Sequence, residues 1–326
     1  MSTQGCKCGG VPLNSGTSGC IEQIKTWDYL VRVDQQDDQG VANFIPAGTV
    51  IDQTYVQGKL NETDPSKKWT IFPKLWTVED VRAEALTETI DNIDFIERQG
   101  TRTFNAMFIG KFASPQMEAT WKSFSCRSNA VFGLTSAGQI EGNNPNLAGD
   151  LYPIKVQNDT WFAIYQKPTK APTKQKIMIS FAVDETEEDA CLDFISSESI
   201  AYPTTNWYSD APIDVEGAEV SNASLTTIVF TMKERFGDVN KNDIPGLASV
   251  DFSPDDGVTT DTVFNKTASS NVPITGLTVD TVTLGNGATQ LQYTMTFAAQ
   301  TLNDVIVIDI FKTGLDMRNP LEVKLD

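Results

Sequence analysis

The sequence predicts a mainly β protein in two parts: a β-sandwich or half-barrel with one flanking helix, then a smaller β-sandwich. Three observations predict it. Between Thr103 and Ile109, polar Thr103 and Asn105 interleave with Phe104, Ala106 and Phe108, the period of two that suits a strand with one face on a core. One clear helix follows, with Met117, Trp121 and Phe124 at i, i+4 and i+7. Beyond a proline-bearing stretch at 201–217, short apolar and β-branched runs recur between Gly, Asn, Pro and Asp, with no convincing helix.

In chain order, residues 1–20 are rich in glycine and poor in large apolar groups, so they read as an arm that cannot order itself. The first β domain is then placed at 21–212. Trp27 to Val33 reads as its first strand, stopped by the polar run from Asp34 to Gly40. Residues 49–60 suit a short helix with Ile51, Tyr55 and Val56 on one side. The stretch 77–98 fits either an acidic helix or two strands. Strands are favoured, with a turn near Asp91 and Asn92, because Thr87, Thr89, Ile90, Ile93, Phe95 and Ile96 are β-prone.

Gly110 ends the strand at 103–109. Ser114 can then accept from the first free amides of a helix, and Pro115 fits its first turn. Residues 130–135 form the next strand, with a turn at Ser136, Ala137 and Gly138 and a return at 139–141. Strands follow at 151–156, 160–166 and 176–183. Between the last two lies KPTKAPT, whose Pro168 and Pro172 confine it to the tip of a long hairpin. In the second domain, placed at 213–326, strands are read at 225–232, 248–252, 278–284, 291–297, 305–310 and 321–325. Roughly six or seven short strands in about 110 residues is the pattern of an immunoglobulin-like sandwich.

Charge and composition narrow the function. With 25 basic and 43 acidic residues the net charge is −18, which argues against a duplex DNA binder, because phosphate affinity comes from Lys and Arg. Histidine is absent, which removes the commonest general base, the usual partner of a Ser or Cys nucleophile, and the commonest zinc ligand. Catalysis and a bound cofactor are not expected. Asp94 and Glu97 are a carboxylate pair of a kind abundant on any acidic surface. Cys6, Cys8 and Cys20 would need a fourth ligand from elsewhere to hold zinc, and the Cys6–Cys8 spacing is tighter than usual, so the three read as reduced thiols. The run from Asp238 begins like a calcium loop but carries Asp243 where glycine is needed and Ser249 where Glu is needed, so no metal is expected there. No apolar run reaches the roughly 20 residues of a membrane span, and the start lacks the build of a signal peptide, so synthesis in a cytoplasm is expected.

Several stretches together resemble a known family. The arm ending NSGTSGC, then ERQGTRTFNAMF, WKSFSCRSNAVFGLTSAGQIEG and LYPIKV, is similar to tail tube proteins in phages of Bacteroidetes-type bacteria, over roughly residues 5 to 195. TMKERFGDVNKNDIPGLASVDF resembles the opening of immunoglobulin-like domains appended to phage structural proteins. The resemblance implies a tail-tube-like β domain, six copies closing into a ring whose inner strands form one barrel, and rings stacking into a tube that conducts DNA without gripping it. It implies a virion component made in the host bacterial cytoplasm, with other tail proteins as partners. The acidic balance would suit a lumen that repels phosphate, with Thr103 and Asn105 facing it.

Two sets of residues carry specific expectations. Lys167, Lys170 and Lys174 on the hairpin tip and Glu185, Glu187 and Glu188 beyond it are candidates for contact between subunits, the basic tip of one copy reaching the acidic segment of the next. Trp207 and Tyr208 are the aromatic candidates for a competing role, a cell- or glycan-binding module. A third role is a tail connector or head-surface protein built on the same fold.

Overall fold

The structure is a computed structural model that describes residues 25–84, 86–90, 93–98, 100–110, 113–145, 149–169, 174–187, 191–236, 242–254, 260–285, 287–312, 314–317 and 319–326; within 86–98 and at 221–223 it gives the backbone alone. Contacts divide the chain into two units, one reaching Ser209 and one starting at Asp210. Both are mainly β. The arm and its three cysteines lie outside the described residues.

The first unit runs β1 (Trp27–Asp34), α1 (Gln53–Leu60), β2 (Thr70–Ile71), β3 (Thr77–Arg82), β4 (Leu86–Ile90), β5 (Ile93–Arg98), β6 (Arg102–Ile109), α2 (Pro115–Lys122), β7 (Asn129–Thr135), β8 (Ile140–Asn143), β9 (Ile154–Lys155), β10 (Phe162–Gln166), β11 (Lys176–Ala182) and β12 (Leu192–Ile195). Its larger sheet has the order β12-β8-β7-β1-β2, with β9 sharing the edge of β7 that β8 occupies. A second sheet has the order β10-β11-β6-β3. The ambiguous stretch at 77–98 is extended, as its β-branched residues predict. β4 pairs only with β5 and prolongs the β3/β6 pair, which Ala83 N–H continues by donating to Thr101 O at 3.0 Å.

The two sheets enclose an aromatic core. Phe72 is fully buried, with its ring 4.9 Å from that of Trp121, 5.8 Å from Trp161 and 5.9 Å from Phe108. α2 contributes to this core for the reasons visible in its sequence. Ser114 Oγ accepts from Met117 N at 3.1 Å, Pro115 opens the helix, and Trp121 is buried one turn on from Met117. Trp161 Nε1 then donates to Trp121 O at 3.0 Å and ties β10's approach to the helix end. The helix read at 49–60 is α1, capped by Asp52, whose Oδ1 accepts from Tyr55 N at 2.8 Å.

The far face of the larger sheet is covered too. Val31, Val33, Phe132, Leu134 and Ile140 are buried there. Trp69 binds that cover to the sheet, with its ring 5.6 Å from Phe132, 6.0 Å from Tyr55 of α1 and 5.8 Å from Trp207. Two charged groups are buried in this sheet with partners. Arg32 donates through Nε to Asn129 Oδ1 at 2.8 Å, pairs with Asp34 and lies over the Phe124 ring at 4.6 Å. Glu141 accepts from Trp27 Nε1 at 2.5 Å. Gly133 makes room for that indole: a Cβ there would sit 2.1 Å from Trp27 Nε1.

The second unit comprises β13 (Ile213–Ser224), β14 (Thr227–Glu234), β15 (Thr262–Asn265), β16 (Ser270–Thr283), β17 (Thr289–Phe297), β18 (Val305–Ile308), β19 (Leu315–Asp316) and β20 (Leu321–Lys324). β16 serves two sheets. Its first part pairs with β15, an irregularity falls between Ile274 and Gly276, and its second part pairs with β17. This leaves β13-β14-β17-β16 as one sheet and β15-β18-β20 as the other, which is the strand order of an immunoglobulin-type sandwich of the constant kind. Phe230, Phe252 and Tyr293 fill its centre, where the Tyr293 hydroxyl donates to Ile244 O.

The strand read at 248–252 is instead a 3-10 turn over Ser249–Phe252. Asp251 accepts from Ala248 N at 2.9 Å and pairs with Lys312 at 2.9 Å, so local side-chain bonds bend the segment while Phe252 still reaches the core. β13 starts inside the stretch at 201–217, and β15 forms where the sequence reading places no strand.

Candidate assembly surface

The sheet β10-β11-β6-β3 has two unlike faces. Phe104, Ala106 and Phe108 of β6, Ile177, Ile179 and Phe181 of β11 and Ala163 of β10 enter the core. Register sets the other face. Phe162, Ser180, Asn105 and Glu79 form one row across the four strands, and Ile164, Met178, Met107 and Thr77 form the next. Val81 and Thr103 lie at one end of this face, Lys176 and Ile109 at the other.

Thr103 and Asn105 therefore lie opposite the core, half-buried by their neighbours. Those neighbours are the surprise. Phe162 and Val81 are each 50 % exposed and Ile164 is 37 % exposed, beside half-buried Met107, Met178 and Ile109. Glu79 and Lys176 are its charged groups, of opposite sign, so the acidic excess anticipated for a phosphate-repelling face is not on this one. The signal lies in Lys176 to Val183, where Met178 stands between Ile177 and Ile179 and so falls on the face opposite theirs.

Neither β10 nor β3 has an outer partner strand among the described residues, and α2 packs against β10. An open edge presents a row of unpaired N–H and C=O groups, ready to pair with another strand.

Charge collects instead at the two ends of the strands. Where β10 ends and β11 begins stand Lys167, Lys174 and Lys176, all on exposed or half-exposed backbone near Gly110, which accepts from Gln175 Nε2 at 3.0 Å. At the opposite end, where β11 finishes and β10 starts, stand Asp159, Asp184 and Glu185, with Glu84 just past β3, together with Arg82, Arg102 and Lys155. Asp184 accepts from Thr186 Oγ1 at 2.6 Å and from Thr186 N at 2.9 Å, and the hydroxyl bond above all holds its carboxyl below the usual range, so it stays ionised.

The predicted contact residues divide between these places. Lys167 and Lys174 belong to the basic end and Glu185 to the acidic end; Lys170 and Glu188 lie outside the described residues. Glu187 is withdrawn from the surface set. Its side chain is only 5 % exposed, and the carboxylate pairs with Lys155 at 3.2 Å and accepts from Asn143 Nδ2. Trp207 is corrected as well. It is 1 % exposed, stacks on Trp69 and donates to Tyr202 O at 3.1 Å, so it offers no ring to a sugar. Tyr208 is half-buried 6.4 Å from Tyr29, where burial pushes its hydroxyl up to about 12.

Glu141 is a buried carboxyl beside this sheet whose titration is moved upward. Desolvation dominates, opposed by the Trp27 bond and by Arg102, while Asp80 adds to the rise. Arg102 itself forks onto Asp80 at 2.6 and 2.9 Å and covers the Phe104 ring at 4.9 Å, closing the rim of the core.

Among the described residues no group of three or more acidic or cysteine side chains is arranged to hold a metal ion, and no helix is long and apolar enough to cross a membrane. Cys126 is exposed and Cys191 half-buried, both as free thiols. Comparison with protein families, with characterised proteins and with solved structures yields no match to this chain.

Proposed function

We propose that this chain is a structural, self-assembling virion protein, with six copies closing into a ring and rings stacking into a phage tail tube through which DNA passes. The observation that carries the reading is the four-stranded sheet with one face on the core, apolar residues exposed on the other, and outer strands that have no partner strand among the described residues. Such edges are a liability in a solitary protein, and closing strands into a ring removes them. On this reading β10 of one copy meets β3 of the next, and Thr103 and Asn105 face the lumen. The weakly charged lining then favours sliding through the absence of Lys and Arg clusters rather than through repulsion. The immunoglobulin-type unit would decorate the outside.

Mass photometry and negative-stain microscopy of the purified chain test this. Rings of six, or tubes, support it; a protein that stays monomeric at high concentration overturns it, and twelve-fold rings move it to a connector.

A further inference from the structure

Asn143, Lys155 and Glu187 come from three separate segments and meet at one carboxylate. Asn143 ends β8, where its N–H donates to Tyr152 O at 2.7 Å and its carbonyl accepts from Tyr152 N at 2.7 Å. Lys155 ends β9, opposite Ala130 of β7, and its carbonyl accepts from Asp184 N at 2.9 Å. Glu187 closes the turn that starts there, its N–H donating to Asp184 O at 3.0 Å. Backbone bonds therefore hold all three residues in place.

Glu187 divides its two oxygens between the other two side chains. Oε1 pairs with Lys155 Nζ at 3.2 Å, and Oε2 accepts from Asn143 Nδ2. The Glu187 side chain is 5 % exposed and Asn143 is 4 % exposed, whereas the Lys155 side chain is 48 % exposed. An ion pair accounts for Lys155 and Glu187. It does not account for the carboxamide beside them, whose Oδ1 is buried with no hydrogen-bond partner among the described residues. Leaving such an acceptor unpaired is costly, and it marks the point where a proton donor is wanted.

We propose that Lys155 and Asn143 become joined by an isopeptide bond, with Glu187 as the acid–base that carries the proton. Glu187 first takes a proton from the Lys155 ammonium, leaving an amine beside a neutral carboxylic acid. A half-turn of the Asn143 amide about Cβ–Cγ then lets the Glu187 O–H donate to Oδ1, which satisfies that oxygen and draws electrons from Cγ. The Lys155 amine attacks Cγ and forms the new C–N bond. A proton released from that nitrogen passes through Glu187 to Nδ2, the Cγ–Nδ2 bond breaks with its electron pair going to nitrogen, and ammonia leaves past the exposed side of Lys155. One ammonium and one carboxamide enter; one secondary amide and one ammonium result. Placing both reactants on one carboxylate supplies the proximity, and burial of Cγ keeps water from competing. The bond anchors β9, a strand of only two residues, to the end of β8. All three residues belong to one copy, so the inference does not rest on assembly.

Mass spectrometry of the denatured full chain tests it. The wild type is expected to be lighter than its sequence by one ammonia. Asp150 stands between the two residues, so a protease that cuts at aspartate is expected to release the Asn143 peptide and the Lys155 peptide still joined. Glu187→Gln removes the proton carrier, and Lys155→Arg removes the amine while keeping a cation beside Glu187. Both are expected to retain the full sequence mass, with circular dichroism checking their fold; the wild-type measurement stands whether or not they fold. A wild type at full mass overturns the proposal. So does ammonia lost without joined peptides, the mark of Asn143 closing on its own backbone as a succinimide. A bond that forms to the same extent in Glu187→Gln overturns it as well.

Discussion

The two sheets of the first unit are built from similar residues and end in different situations. Every residue of β7 is buried, as is every residue of β8, because α1, Trp69 and Trp207 cover one face and the second sheet covers the other. In β6 burial alternates residue by residue, and β10 is exposed at Phe162 and Ile164. The larger sheet is thus covered on both faces within one copy, although its outer strands β12 and β2 have no further partner strand among the described residues, any more than β10 and β3 have. The smaller one buries one face and leaves apolar residues on the other. A sheet covered on both faces needs no partner, whereas one covered on a single face with apolar residues on the other is a surface that assembly can use.

The largest effect is expected where the two sheets meet. Phe72 lies between them with four aromatic neighbours, Phe108, Trp121, Phe124 and Trp161. Phe72→Ala removes that hub and is expected to cost about 3–5 kcal/mol. Denaturant unfolding of the first unit should show the loss as a lower midpoint. A change under about 1 kcal/mol would mean that the sheets are held together by something other than this cluster.

A smaller effect, confined to one pH window, should come from Glu141, the charge enclosed where the sheets face each other. Burial raises its carboxyl above the ordinary glutamate range. Between that range and the raised value, the folded protein holds a proton that the unfolded chain has released. The stability this contributes is fully present below the unfolded value, near 4.3, and is lost as pH rises through the folded one. Glu141→Gln keeps an acceptor for Trp27 Nε1 and removes the charge. The variant should therefore match the wild type at acid pH and exceed it in stability at neutral pH, read from unfolding midpoints across the series. A variant less stable than wild type at neutral pH would show that the ionised carboxylate, with Trp27 and Arg102 beside it, stabilises the site on balance.

Much of this arrangement was legible in the sequence, and the failures have physical causes. Period-two alternation located β6 and β11, and the Ser114–Pro115 start located α2, because those signals are local. The face of α2 followed from i, i+4 and i+7 spacing. What covers a sheet is not local, and nothing near Phe132 announces Trp69 or Trp207. Trp207 looked available because it stands among prolines and polar residues, yet its stacking partner is distant in the chain. Glu187 looked like part of an acidic run, and its partners Lys155 and Asn143 come from two other strands. That Asp159 and Glu185 stand at the same end of one sheet needed the topology, since it follows from the antiparallel pairing of β10 and β11.

The smallest effect on folding and the most informative for assembly is expected on the open face. Phe162 is paired with Ser180 on a strand edge and half of it is already in water. Phe162→Ser should change the stability of a single copy by no more than about 0.5 kcal/mol, as for a surface site with no special contacts. If copies join through the β10 edge, the ring ordered in one copy should require that ring from its neighbour as well, and the variant should assemble at higher concentration than wild type while unfolding at the same midpoint. Stability lost in the isolated copy would mean that this face is covered within the chain after all, and the contrast between the two sheets would disappear. Equal stability with equal assembly would place the open face away from every contact and leave the strand backbones to hold the copies together.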